Sequence, residues 1–588
     1  MNNFHEEEAL GKAFDARLMK RLLKYAKPYI GLISISFVLL LLITLTDLAR
    51  PYLMKVAIDD YIAVGNKAGL KNIALIFLFV ITGGFVFNYI QVYILYYTGQ
   101  KIIYNMRQEL FSHLLRLSLS FFDKNPVGRL VTRVSNDMEN LNEMYTAVIV
   151  NLFKDIFTLI GIIIIMLRMN AKVALISFAA IPLIFLSSAI FRKESRKAYR
   201  SVRVKLAKIN STLSENISGM KIIQIFNREK FKYDEFAGIN DEHRQASKRE
   251  LLVFAVFRPS MDLIYSFSLA LLIWYGGGKV LQGTLPFGVL FAFVNYIDQF
   301  FKPINDLTEK FNILQSAMAS AERIFLLLDE EENIKTIGNP LPLSKITGKI
   351  EFKNVWFAYE GENWVLKDVS FTINPGETVA FVGATGAGKT SIISLITRLY
   401  DIQKGEILVD GKNIKEVDKY ELRSQIGVVL QDVFLFTGDI KGNIRLNNKE
   451  ISDEQIKEVA GFVNADTFID KLPKRYEETV MERGATLSSG QRQLLAFARA
   501  LAFDPSLLVL DEATSNIDTE TEILIQDAIK KLIKGRTNII IAHRLSTIQH
   551  ADKIVVMHKG RLREMGKHQE LLDKKGMYYD LYLLQYKE

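Results

Sequence analysis

The chain has 588 residues, of which 49% are apolar and 24% charged, enough for several domains with large cores. Its formal charge of +9 fits either a nucleic-acid partner or the positive cytosolic loops of a membrane protein. The absence of cysteine excludes disulfides, thiolate metal sites and cysteine nucleophiles.

Residues 1–27 are polar and carry Glu6, Glu7 and Glu8, so no removable signal peptide is expected. A bilayer core of about 30 Å needs about 20 apolar helical residues. The segments 28–46, 72–100, 173–191 and 280–297 are uncharged runs of that length. Two further runs are interrupted: 144–167 by Lys154 and Asp155, and 251–278 by Arg258 and Asp262. These two read as spans with polar insertions, with buried helices of a soluble domain as the alternative. Lys and Arg number 6, 6 and 15 in segments 1–27, 101–142 and 192–250, against 4, 2 and 1 in the intervening connections. The richer group is expected on the cytosolic side, which returns the C-terminal half to the cytosol and needs no nucleic acid to explain the charge.

The two long cytosolic connections contain few helix breakers and read as helices continuing out of the membrane, about 30 Å for an arm of about 20 residues. Phe121 to Arg129 and Ser218-Gly219-Met220 supply the turns at their tips. In the second span, Phe85, Tyr89, Tyr93 and Tyr96 share one helical face. That face lines a substrate cavity or packs as an interfacial aromatic belt. Lys154 and Asp155 carry the same two-way reading, cavity or snorkelling.

A charged linker, 326–347, contains Pro340 and Pro342, after which short β-rich runs begin. The strand ending at Val382 leads into Gly383-Ala384-Thr385-Gly386-Ala387-Gly388-Lys389-Thr390 and a helical run from Ser391. This is the phosphate loop G-x-x-x-x-G-K-[ST] in its strand-to-helix setting: backbone N–H groups converge on phosphate, Lys389 reaches the β- and γ-phosphates, and Thr390 holds Mg²⁺. A second apolar strand ends in Asp511 and Glu512, suited to Mg²⁺ contact and to polarising water, or simply to capping the next helix.

Residues 348–588 resemble the ATP-binding cassette superfamily. Tyr359 lies where that family stacks a ring on adenine, Gln431 where its glutamine joins Mg²⁺ and senses the γ-phosphate, and His543 at the switch histidine. Leu487-Ser488-Ser489-Gly490-Gln491 is similar to the signature L-S-G-G-Q, and Ser515-Asn516-Ile517-Asp518 to the loop that crosses to the partner. Phe121 to Gly128 and Met481-Glu482-Arg483-Gly484 resemble exporter-specific elements. The resemblance implies a six-helix membrane all-α domain with long cytosolic extensions (28–325), then an α/β P-loop ATPase domain (348–588). It also implies ATP and Mg²⁺ as cofactors and Glu512, His543 and Gln431 as catalytic residues. Ser488, Gly490 and Gln491 would close over ATP held by a partner cassette.

The implied function is an ATP-driven exporter of amphipathic drugs or lipids, working by alternating access in the plasma membrane. Export of a specific peptide or lipid is the alternative. Ser489 stands where the signature has glycine, as in heterodimeric bacterial exporters that combine an impaired signature with an intact Glu. A heterodimer is therefore expected, with a homodimer as the runner-up.

Overall fold

The computed structural model describes residues 15–331, 334, 340–511, 519–541 and 548–586; the side chains of 304–309, 519, 585 and 586 are outside that description. The chain divides into two compact units, Met1–Leu115 with Gly128–Glu330, and Arg116–Val127 with Glu331–Glu588.

The first unit is helical. Its opening helix, Ala16–Ala26, is capped by the Asp15 carboxylate, which accepts from the Arg17 amide at 2.7 Å. Arg21 donates twice to Asp329, at 2.6 and 2.9 Å, and lies over the Phe325 ring, so the start of the unit is tied to its end. Helices Ile30–Val56 and Lys67–Leu114 follow; the second has 48 residues and reaches about 72 Å, more than twice a bilayer core. The run Ile149–Ser177 is broken at Asn170, whose φ of −161° and ψ of 105° leave the helical region. The Asn170 side chain accepts from the Val173 amide at 3.1 Å, so a polar residue between two apolar runs both ends one helix and caps the next. The continuation Ile181–Ser218, then Glu229–Leu281 and Phe287–Leu328, complete the unit.

Among the described residues, 16–62, 67–114, 127–218 and 229–281 are long and apolar enough to cross a membrane. The Asn170 break divides the third of these, and with Phe287–Leu328 the unit has six long helices. One expected boundary moves. The uncharged run 280–297 straddles a turn in which the Thr284 amide donates to the Lys279 carbonyl at 3.0 Å, and the last helix starts only after Pro286. The reason is local: the turn residues Gln282 to Leu285 are neutral, so charge alone does not separate the two helices.

The second unit is built on strands β1 (Ile350–Ala358), β2 (Trp364–Ile373), β3 (Thr378–Val382), β4 (Lys404–Val409), β5 (Lys412–Asn413), β6 (Ile426–Val429), β7 (Gly438–Asp439), β8 (Thr479–Val480), β9 (Leu507–Asp511), β10 (Thr537–Ile541), β11 (Lys553–His558) and β12 (Arg561–Gly566). One sheet runs β2-β1-β4-β5, and the main sheet runs β12-β11-β3-β10-β9-β6, parallel except at β12. The β3, β9 and β10 sequences are continuous apolar runs because both faces are covered. Ala380, Val382, Leu508, Leu510 and Ile540 enter one core, with the helix Ser489–Ala502. Val379, Phe381, Leu507, Val509, Ile539 and Ile541 enter the other, against the antiparallel sheet.

Candidate functional site

Parallel registration places the ends of several strands on one edge. Ile541 at the end of β10 lies beside Phe381 of β3 and beside Asp511 of β9, and Leu510 lies beside Val429 of β6. The phosphate loop, Asp511 and Gln431 therefore emerge on the carboxyl edge of the sheet, where α/β proteins bind ligands. Gln431, two residues past β6, is exposed.

The loop's shape depends on glycine at two points. Gly383 has φ +152° and a Cβ there would lie 2.2 Å from the Met557 carbonyl oxygen. Gly388 has φ +99°, in the left-handed region, with the Leu366 side chain 2.6 Å from where a Cβ would stand. Both glycines press the loop onto the strands beneath. Ala384, Thr385 and Gly386 are exposed at its crest, and Ala387 is buried. The helix Lys389–Ile396 starts at once, with Thr390 exposed in its first turn and Ser391 buried.

Lys389 is 6% exposed, and its ammonium donates to the Gly383 and Ala384 carbonyls at 2.7 and 3.2 Å. Burial pulls its pKa below the ordinary lysine value, and the Asp511 carboxylate opposes that pull. A buried cation facing a loop of backbone N–H groups at a helix N-terminus is a site built for an anion.

Asp511 is buried at the end of β9. With Val429, Gln493 and Phe497 it lines a cavity of about 10 Å³, room for about one water. Tyr359 is 42% exposed, and its hydroxyl is 3.0 Å from the Ser391 hydroxyl on the loop's helix. Its ring meets those of Phe357 and Tyr400 edge to face at 4.7 and 5.0 Å.

The signature residues open the helix Ser489–Ala502 through a capping box. The Ser488 hydroxyl accepts from the Gln491 amide at 3.2 Å, and the Gln491 side chain accepts from the Ser488 amide at 2.9 Å. Gly490 is buried and Ser489 partly so. In the preceding turn Arg483 and Gly484 both take positive φ, 56° and 67°. Glu512, the loop 515–518 and His543 lie outside the described residues.

Two residues join the site that sequence reasoning passed over. Gln493 is a buried amide on the apolar face of the signature helix, and that exception was its signal. Tyr400 is buried against Tyr359 and donates to the Asp123 carboxylate, 277 residues earlier, which no local pattern announces.

Residues 33–304 match the family model of the ABC transporter transmembrane region, and 366–515 the family model described as ABC transporter. A probable multidrug resistance ABC transporter ATP-binding/permease protein of Bacillus subtilis is 42% identical over 502 residues, 85% of this chain and 74% of that one. The chain belongs to the ABC transporter family. An ATP-dependent lipid A-core flippase of Syntrophus aciditrophicus is 36% identical, covering 97% of this exporter and 95% of the flippase. The solved structure of a bacterial Atm1-family ABC exporter with ATP bound superposes with a TM-score of 0.77 at 26% identity, covering 97% of this chain and 99% of that one. This chain is thus an ATP-driven ABC exporter with membrane and ATPase parts fused, and half-transporters of this kind work as dimers.

Proposed function

We propose that this exporter subunit moves amphipathic small molecules, drugs or lipids, out of the cell by alternating access, with its termini and ATPase unit in the cytosol. The single observation that carries the nucleotide chemistry is the convergence of the buried Lys389 ammonium, Thr390 and Asp511 on one sheet edge. Tyr359 would take the adenine, and the amides of Gly383 to Thr390, with Ser391 behind them, would hold the phosphates. Thr390, Asp511 and Gln431 offer only oxygen donors, and among the described residues no group of three His, Cys, Asp or Glu gathers. That small hard set fits Mg²⁺, which would be completed by nucleotide phosphates and water.

Glu512 would orient the attacking water, with His543 and Gln431 sensing the γ-phosphate. Ser488, Gly490 and Gln491 would close over nucleotide held on a partner cassette, so two chains are needed to complete a site. Closure would then bias the membrane helices between inward- and outward-facing states. Ser489 and the intact acidic pair favour a partner of different sequence over a second copy. The drug and lipid classes rest on what the two relatives are named for, and a specific lipid is the second reading, favoured by the flippase. Reconstitution into vesicles tests the proposal: ATP-dependent flux of a fluorescent lipid or dye supports it, and nucleotide hydrolysis without flux of any amphiphile overturns it.

A further inference from the structure

Three ionisable side chains meet among the apolar helices. The Asp47 carboxylate, on Ile30–Val56, faces Arg50 at 3.3 Å through one oxygen and Lys154, from Ile149–Ser177, at 3.5 Å through the other. Asp47 lies 17 residues, about 26 Å, along its helix from Ile30, and Lys154 lies 14 residues, about 21 Å, inward of Arg168. Asp47 directly follows the uncharged run 28–46 and Lys154 interrupts the apolar run 144–167; each stands on a helix long and apolar enough to cross a membrane, where charge is costly and marks a functional position.

The geometry says which sign is left over. Next along the chain, Asp155 takes Lys310 at 2.5 Å. Asp47 instead serves two cations, at distances well beyond the about 2.8 Å of a good charge-assisted bond. Among the described residues, the Arg50 Nε is buried with no acceptor. A buried guanidinium N–H without a partner loses its hydration for nothing in return. Nor is the group sealed off, since the Arg50, Lys154 and Asp47 side chains remain 39%, 33% and 27% exposed. The cluster therefore holds one more positive than negative charge, an unmet donor and an open side.

We propose that Arg50 and Lys154 bind the anionic head group, phosphate or carboxylate, of the exported amphiphile. This deepens the exporter reading above and rests on it. An arriving anion would take the N–H groups that Asp47 holds only loosely, while the surrounding apolar helices accept the chain.

The test uses the full-length protein in nanodiscs of zwitterionic lipid, with protein-free nanodiscs subtracted. Dodecyl phosphate, dodecanoate, dodecyl maltoside and dodecyltrimethylammonium are titrated by calorimetry. At least one of the two anions should bind about tenfold tighter than the neutral and cationic amphiphiles, the equivalent of one charge-assisted contact. Lys154→Gln and Arg50→Gln should each remove most of that preference, and Lys154→Arg should keep it. Should Arg50→Gln fail to fold, as judged by gel filtration, the two Lys154 variants decide. Equal affinity for all head groups, or a preference intact in Lys154→Gln, overturns this inference alone. Binding of none of the four, with no flux in vesicles, overturns the amphiphile reading itself.

Discussion

In the proposed site Lys389 would hold the nucleotide phosphates, since it is buried with its ammonium bonded to the Gly383 carbonyl in the loop's mouth. Lys389→Ala removes that charge; nucleotide affinity should fall between about tenfold and a hundredfold, as fluorescent-ATP titration would register. Glu512→Gln should do the reverse. Binding should persist while turnover drops by about a hundredfold or more, since in the proposed site the carboxylate would act on water. Turnover near wild type with the partner's base also removed would reject the assignment. The phosphate loop was legible because its eight residues carry their own strand and helix context. The pairing of Asp47 with Lys154 was not, since it is made across 107 positions by packing between helices.

Among elements, the tight seat of the phosphate loop makes Gly383→Ala informative. A methyl group 2.2 Å from a backbone carbonyl cannot be relieved by a side-chain rotation. The substitution should cost about 2 kcal/mol or more and lower the melting temperature as well as ATP affinity. The helices His568–Asp573 and Met577–Tyr586 respond to pH instead. The His568 Nδ1 is 2.6 Å from the Tyr578 hydroxyl, and burial holds its pKa below the ordinary histidine value. A depressed folded value means that the unfolded chain binds the proton more readily, so stability is present above about pH 6.5 and is lost as pH falls through the folded value. The melting temperature should fall between pH 7.5 and 5.5, and His568→Gln should flatten that fall.

The long uncharged helices could be read from composition because apolar length is a one-dimensional property. The boundary near Leu281 escaped a reading by charge because Gln282 to Leu285 are neutral; Gly283, with positive φ, and Pro286 are the residues that mark the turn. Continuous apolar strands such as Leu507–Asp511 announced burial on both faces, but their order in the sheet depends on crossovers that no local pattern records.

At the scale of the whole molecule, the proposed heterodimer, argued from Ser489 in the signature, makes a direct prediction. ATPase of the purified chain alone should be low and should rise on co-expression with a second, different half-transporter. Ser489→Gly should raise the lone chain's rate about fivefold, the equivalent of about 1 kcal/mol. A lone wild-type chain with vigorous substrate-stimulated ATPase would establish the homodimer instead.

One feature of the cassette unit bears on how such a gene can be cut. Residues 116–127 belong to it, with Tyr400 donating to Asp123, although they are encoded between membrane helices. Severing the chain at the linker would leave an ATPase fragment with an empty seat at Tyr400. A synthetic peptide of residues 116–127 should find that seat and raise the fragment's solubility, and Tyr400→Phe should weaken the complementation. The cassette unit is therefore discontinuous along the gene, and recombination that exchanged whole cassettes between exporters would have to carry residues 116–127 along.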